Sequence, residues 1–392
     1  MTNSPLEVNA TAWDALLQTQ ANPSPFVRHA YLAALHQSGS ATAKTGWRPH
    51  FFTLHVGDEL VAACALYEKA HSYGEYVFDW AWANAYAQHG LSYYPKAVAA
   101  VPFTPVPGAR LMARTPEARA ALLRALLCWC EQSGMSSLHL LFVDESDAAA
   151  CAHAGLMLRH TVQFHWQNSN PGYSDFDAFL MSLSQEKRKK IRQERRKVLD
   201  AGVTFRWSQG RDISRADWDF FYRCYERTYL EHGNAPYLNR DFFQRMADTM
   251  AEHWLLFIAE RNGHPIATSL IALDTHSTRA GGQNGSESLG KVAYGRYWGA
   301  LERVDCLHFE ACYYQPLQWC IEHGYQRFEG GAQGEHKMAR ALLPVKTTSA
   351  HWLAHPAFAD AVARFLEREG EGIHNYLDEL EQRSPFKHRS PS

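Results

Sequence analysis

The sequence predicts an α/β (α+β) protein built from two similar halves in tandem, and three observations carry that reading. Each half contains a β-hairpin: HFFTLHV, a GDE turn and LVAACALY in the first, HWLLFIAE, RNGHP and IATSLIAL in the second. Each half then places a helix of apolar period 3.6 before a strand: ARAALLRALLCWCEQSG before SLHLLFV, and ACYYQPLQWCIEHG before YQRFEGG. Both helices finish Trp-Cys-x-x-x-Gly, at Trp129, Cys130 and Gly134 and at Trp319, Cys320 and Gly324. Glycine there accepts the left-handed cap conformation without steric cost, and Trp-Cys at one distance from the cap buries the same face. The shared order of elements argues for a duplication.

The remaining elements follow in order. A chain of 392 residues, 46% hydrophobic and 13% aromatic, is long enough for two cores. We assign 1–170 to a first domain, 171–202 to a connecting helix and 203–392 to a second domain. After each hairpin come aromatic, strand-like segments, YVFDWAW and VAYGRYWGA. Tyr93-Tyr94-Pro95-Lys96 and Pro102–Gly108 read as a proline-braced loop; Lys96 or Arg110 could touch an anion there, and structure alone explains the loop as well. In SLSQEKRKKIRQERRKVLDAG, Ser184 N-caps a helix that Gly202 ends, with eight lysines and arginines around a seam of Leu183, Ile191, Val198 and Leu199. It is either a solvated connector or a cationic rail for phosphates, including those of tRNA. FADAVARFLEREGEGIHNYLDEL is an amphipathic packing helix.

Composition excludes several classes. A net charge of −2 argues against a generally basic nucleic-acid coat. Eight scattered cysteines without CxxC spacing read as buried thiols in a reducing compartment. MTNSPLEVNATAWDALL carries no signal-peptide pattern and no run of about 18 apolar residues occurs, so the expected location is cytoplasmic. His351 and His355 have i,i+4 spacing, but Pro356 and the β-prone TTSAHW context argue against a metal helix, so no metal is expected. No Walker loop, GxSxG elbow or dinucleotide fingerprint is present.

The segments YYPKAVAAVPFTPVPGAR, SQEKRKKIRQERRKV, YGRYWG, LHFEACYYQ and FEGGAQGEHK, with Pro344 and SAHW beyond, resemble the FemAB-like N-acyltransferases over about residues 47 to 385. The resemblance implies two tandem GNAT-type halves with mixed central sheets. It also implies acyl transfer to an amine, possible use of charged tRNA as donor and a peptidoglycan precursor as acceptor. One departure bears on the donor. GNAT enzymes hold the coenzyme A pyrophosphate on a Gln/Arg-x-x-Gly-x-Gly/Ala turn at a helix N-terminus. The nearest candidate here, Arg296 to Leu301, has leucine at the last small position, which favours a donor other than CoA. The donor is read as acyl-CoA or aminoacyl-tRNA.

Acyl transfer needs a base near neutral pH, donors for the oxyanion and a proton for the leaving group. Glu310, in the apolar LHFEACY, is a candidate base whose alternative is a carboxylate satisfied by an arginine; His308 could share either role. In RFEGGAQGEHKMAR, glycines free of Cβ let backbone N–H groups approach a ligand, with Glu335 or His336 as base. Lys337 and Arg340 would hold a phosphate or carboxylate, and Gly331, Gln333, Tyr294, Arg296 and Lys96 complete the substrate-binding candidates. The competing reading is a recognition module that binds a cell-wall fragment or precursor without turnover.

Overall fold

The computed structural model describes residues 1–77, 79–274, 290–331 and 334–387. The chain forms two compact units, Met1–Val162 with Lys346–Leu377, and Gln163–Val345 with Asp378–Ser392. Against the boundaries at 170 and 203 expected above, the basic helix groups with the second unit and a late segment returns to the first.

In the first unit β1 (Trp47–Val56) and β2 (Glu59–Lys69) form the expected hairpin, with Gly57 at φ 59° in its turn. β3 (Lys96–Ala99) pairs antiparallel with β2, and the short β4 (Met112–Ala113) caps β2's other end. β5 (Ser137–Val143) runs parallel to β3. A parallel neighbour demands a crossover, which the helix Pro116–Gln132 provides. Thr115 caps its start by accepting from the Ala118 N–H, and Gly134 at φ 66° ends it. Leu122, Leu123, Leu126 and Cys130 of that helix pack with Ala97, Leu138 and Leu140 in the core. Residues 348–353 pair antiparallel with β5, which is why the late segment belongs here. The helix Pro356–Gln382 then sets Val362 and Leu366 against Trp82, Tyr86 and Tyr93.

The described residues of YVFDWAW contain no strand. Residues Trp80–Gln88 form a helix, because alanines at alternate positions favour it and Trp82 and Tyr86, four apart, share one buried face.

The chain enters the second unit within β6 (Met157–Gln167). There β7 (Val203–Gln209), β8 (Trp254–Arg261), β9 (His264–Asp274) and β10 (Val292–Ala300) pair antiparallel in sequence. Asn262 and Gly263, at φ 53° and 75°, make the two-residue turn between β8 and β9 that suits strand twist. β11 (Arg327–Glu329) lies parallel to β10 and antiparallel to residues 165–167 of β6. β12 (Leu343–Leu353) follows and carries the chain back. The crossover from β10 to β11 is the second Trp-Cys-x-x-x-Gly helix, Gln315–Glu322, with Gly324 at φ 70°. The two units therefore repeat one topology, with each Trp-Cys motif closing the helix between the parallel strands.

Candidate active site

β10 and β11 stay paired only over Val292–Tyr294 against Arg327–Glu329; beyond that they separate. β10 also carries a bulge against β9: Gly295 faces Ile271 and Tyr297 faces Leu270, so Arg296 is the inserted residue. Into the opening runs the segment that follows β10, which starts as a short helix, Leu307–Phe309, and widens into a π turn, Glu310–Tyr314. Pro316 explains the widening, since it has no N–H to give the carbonyl four residues back. A cavity of about 130 Å³ results, lined by Ser269, Gly295, Arg296, Tyr297, Trp298, His308, Cys312, Tyr313, Phe328 and Gly330.

The glycine segment closes this cavity from the β11 side. A Cβ on Gly330 would lie 2.4 Å from Leu342 Cδ2 and 3.5 Å from the Lys337 side chain, so any other residue there displaces Leu342. Gly331 takes φ 84°. The Lys337 ammonium donates to the Gly331 carbonyl at 3.1 Å and is buried, with no ion pair to a carboxylate among the described residues. Burial pulls its pKa down to about 8, against a smaller upward pull from Cys312. His336 Nε2 lies 3.3 Å from the Tyr313 hydroxyl, and burial with Arg340 and Lys337 nearby lowers its pKa. His308, ring to ring with Trp298 at 5.4 Å, is pushed down to about 4 chiefly by burial and is a neutral imidazole at pH 7. Burial raises the Cys312 thiol to about 12, so it is protonated.

The expected residues thus separate into distinct environments. Of the expected residues Arg296 lines the cavity; His336 touches the lining Tyr313, and Lys337 lies behind the lining Gly330, bonded to the Gly331 carbonyl. Arg340 does not face an open site: it grips Glu194 through Nη2 at 2.9 and 3.0 Å, donates to the His336 carbonyl at 2.7 Å and stacks 3.5 Å over the Phe309 ring. The Tyr314 hydroxyl donates to the same Glu194. Glu335 is exposed and pairs with Arg383 at 3.3 Å. Tyr294 is buried beside Arg327 and Glu329, and burial raises its pKa. Glu310 lines a different, larger cavity and accepts from Arg195 at 3.1 Å and Gln315 at 2.7 Å. Gln333 lies outside the described residues.

Lys96 belongs to the first unit, where it is wholly buried and donates to Glu75 and Ser72 at 2.8 Å and to Asp79 at 2.5 Å. Arg110 is equally committed, to the carbonyls of Leu141 (2.8 Å) and Val106 (2.6 Å). The proline-braced loop is therefore internal scaffolding, with the Gly108 N–H bonded to the Phe142 carbonyl at 3.0 Å.

Arg296–Ala300 is strand, as expected for VAYGRYWGA, so the nearest match to a pyrophosphate turn does not open a helix. Gly299 serves packing instead, since a Cβ there would lie 2.1 Å from the Cys224 carbonyl oxygen in the helix Arg215–Glu231. The basic helix, Gln185–Asp200, is also not a bare cationic rail: Arg192, Arg195, Arg196 and Lys197 pair with Asp177, Glu310, Asp200 and Asp305. Glu194 escaped the sequence reading, although its spacing with Ile191 and Val198 puts a carboxylate on the buried stripe. Tyr313, Tyr314 and Cys312 escaped it too, because an apolar aromatic run looks the same in a core and in a cleft.

The FemAB-like family, described as peptidoglycan biosynthesis/recognition, matches residues 4–388. The chain belongs to that family. No curated protein sequence matches this FemAB-like chain. Among solved structures it is similar to FemX, at 10% identity and a TM-score of 0.53, covering 91% of this chain and 98% of that one. It is also similar to the C-terminal domain of a protein assigned as a lysylphosphatidylglycerol synthetase from Agrobacterium fabrum, at 12% identity, a TM-score of 0.55 and coverage of 93% and 97%. At these identities the likeness shows the fold alone, an α/β arrangement with mixed sheets shared along nearly the whole of each chain. Family and fold together support a transferase. No helix among the described residues is long and apolar enough to cross a membrane, and none of their His, Cys, Asp and Glu side chains group to hold a metal.

Proposed function

We propose that this FemAB-like protein is an N-acyltransferase that moves an acyl or aminoacyl group from acyl-CoA or aminoacyl-tRNA to an amine. The family description makes a peptidoglycan precursor the first acceptor to try. The observation that carries the reading is the opening between the parallel strands β10 and β11, with a strand bulge on one wall and, behind Gly330, a buried lysine that has no carboxylate partner among the described residues.

The bulge interrupts the strand ladder, and we assign the N–H groups of that interruption to the oxyanion of a carbonyl entering the opening. An amine acceptor is protonated at neutral pH and must lose a proton to attack. Lys337, with its pKa near 8, is neutral in a usable fraction of molecules and accepts that proton. His336 and Tyr313 stand in contact beside it and pass a proton to the leaving group. The commitment of Arg340 to Glu194 holds the segment Glu335–Arg340 in place rather than binding substrate.

Thermal unfolding with acetyl-CoA and longer acyl-CoAs tests the donor. Saturation at about 100 times Kd adds roughly 2.7 kcal/mol, worth about 5 to 10 °C. A shift of that size identifies a CoA donor; none at millimolar CoA directs the assay to aminoacyl-tRNA. Turnover with neither donor across an amine panel, alongside binding of a cell-wall fragment, would replace the enzyme by the recognition reading that the family description also contains.

A further inference from the structure

One carboxylate, Glu194, reaches both elements that carry the proposed proton path, and the steps above give it no task beyond holding Arg340. The basic helix Gln185–Asp200 places Glu194 on its buried stripe with Ile191 and Val198, three residues before it and four after. There the carboxylate accepts from Arg340 Nη2 at 2.9 and 3.0 Å and from the Tyr314 hydroxyl. Arg340 belongs to the segment Glu335–Arg340, and Tyr314 ends the π turn Glu310–Tyr314. The helix is itself fastened to the same stretch, by Lys197 to Asp305 at 2.7 Å and by Arg195 to Glu310 at 3.1 Å, so Glu194 is presented from a fixed base.

Each contact of Glu194 stops one step short of a group that the transfer uses. Tyr314 adjoins Tyr313, which lines the cavity. Arg340 donates through Nη1 to the His336 carbonyl at 2.7 Å and lies 3.5 Å over the Phe309 ring, so it grips its own segment and the turn that leads into the π turn. His336 Nε2 and the Tyr313 hydroxyl, one from each element, meet at 3.3 Å. That meeting is between a phenol and an exposed imidazole, whereas the joint at Glu194 is charge-assisted and buried. The stronger joint therefore sets the spacing of the weaker one.

We propose that Glu194 is a positioning residue for acyl transfer, holding the π turn and the segment Glu335–Arg340 at the separation in which Tyr313 and His336 stay in contact. Its part in turnover rests on the acyl-transfer reading; the joint itself does not. Misplacing a reacting group by about 1 Å costs on the order of 100-fold in rate, so such a joint matters to kcat without touching substrate.

Steady-state kinetics of Glu194→Gln, at a temperature where thermal unfolding shows the variant folded, tests the proposal. Glutamine keeps the size of the side chain and loses the charge that pins Arg340. kcat is expected to fall ~10-fold or more with the donor KM within ~2-fold, since the displaced groups act in the transfer step. Tyr314→Phe, which removes one bond and keeps the ring, is expected to lower kcat ~3-fold and keeps the test open should Glu194→Gln fail to fold. Lys197→Gln, which removes an exposed pair from the same helix, is expected to leave kcat within ~2-fold. Independently of turnover, proton NMR of protein labelled in histidine and tyrosine is expected to show cross-peaks between the His336 and Tyr313 rings that vanish in Glu194→Gln. Unchanged kcat in folded Glu194→Gln, cross-peaks that persist there, or an equal loss in Lys197→Gln would overturn the proposal. Cross-peaks lost in Glu194→Gln, in a protein whose wild type transfers no acyl group, would keep the joint and remove the enzyme reading.

Discussion

At the scale of single residues, Lys337 combines opposite effects on stability and function. Its proton is held less firmly in the folded state than in the unfolded chain, where its pKa is near 10.5. Below pH 8 both states carry the proton and the folded state bears the full penalty. Between about 8 and 10.5 only the unfolded state binds it, so stability rises with pH across that window, by about 3 kcal/mol in all. Lys337→Met removes the penalty: urea titrations at pH 7 are expected to show a more stable protein, while acyl transfer falls ~100-fold or more. Loss of both stability and turnover would assign Lys337 to structure alone. The wild-type rate is expected to climb with pH towards a pKa near 8, a limb absent from the variant. Arg340 behaves in the contrary way. Arg340→Met leaves Glu194 buried without its cation and is expected to cost about 3 kcal/mol, read as a lower denaturation midpoint. The sequence showed both cations shortly after a glycine pair, Gly330 and Gly331, but not their different fates. Glu194 lies 146 positions from Arg340, and only the fold brings them together.

At the scale of elements, local chemistry was often decisive. The two hairpins and the Trp-Cys-x-x-x-Gly helices were legible because glycine caps, turn residues and apolar period act over a few residues. YVFDWAW misled because aromatic residues suit a strand and a packed helix equally; the partners of Trp82 and Tyr86, Leu353 and Val362, lie far along the chain. The π turn was hidden for a similar reason: Pro316 announces a missing donor, while the resulting wide turn depends on the helix being held in place. Close approach of helix to strand gives a direct check. Gly299→Ala drives a methyl into the backbone at Cys224 and is expected to lower Tm by roughly 5 °C or more. An unchanged Tm would mean that the helix Arg215–Glu231 can move away from β10 at little cost.

At the scale of the whole molecule, the units are discontinuous in sequence. A chain ending at residue 345 lacks the strand residues that pair with β5 and the helix carrying Val362 and Leu366. Hydrogen exchange on that variant is expected to show lost protection in β5 and around Trp82, with β8 and β9 still protected; undiminished protection in β5 would show that the first unit stands without its returning segment. By itself the sequence determined that there are two repeats and that each holds a hairpin and a capped crossover helix. Those features rest on local backbone preference and on burial periodicity, which a linear text records. The tertiary structure alone decided which charges are spent on one another, which cavity each face of the π turn serves, and that among the described residues Arg340 has an acid partner and Lys337 has none. Burial and pairing between distant residues set those outcomes, and neither is written at any one position in the chain.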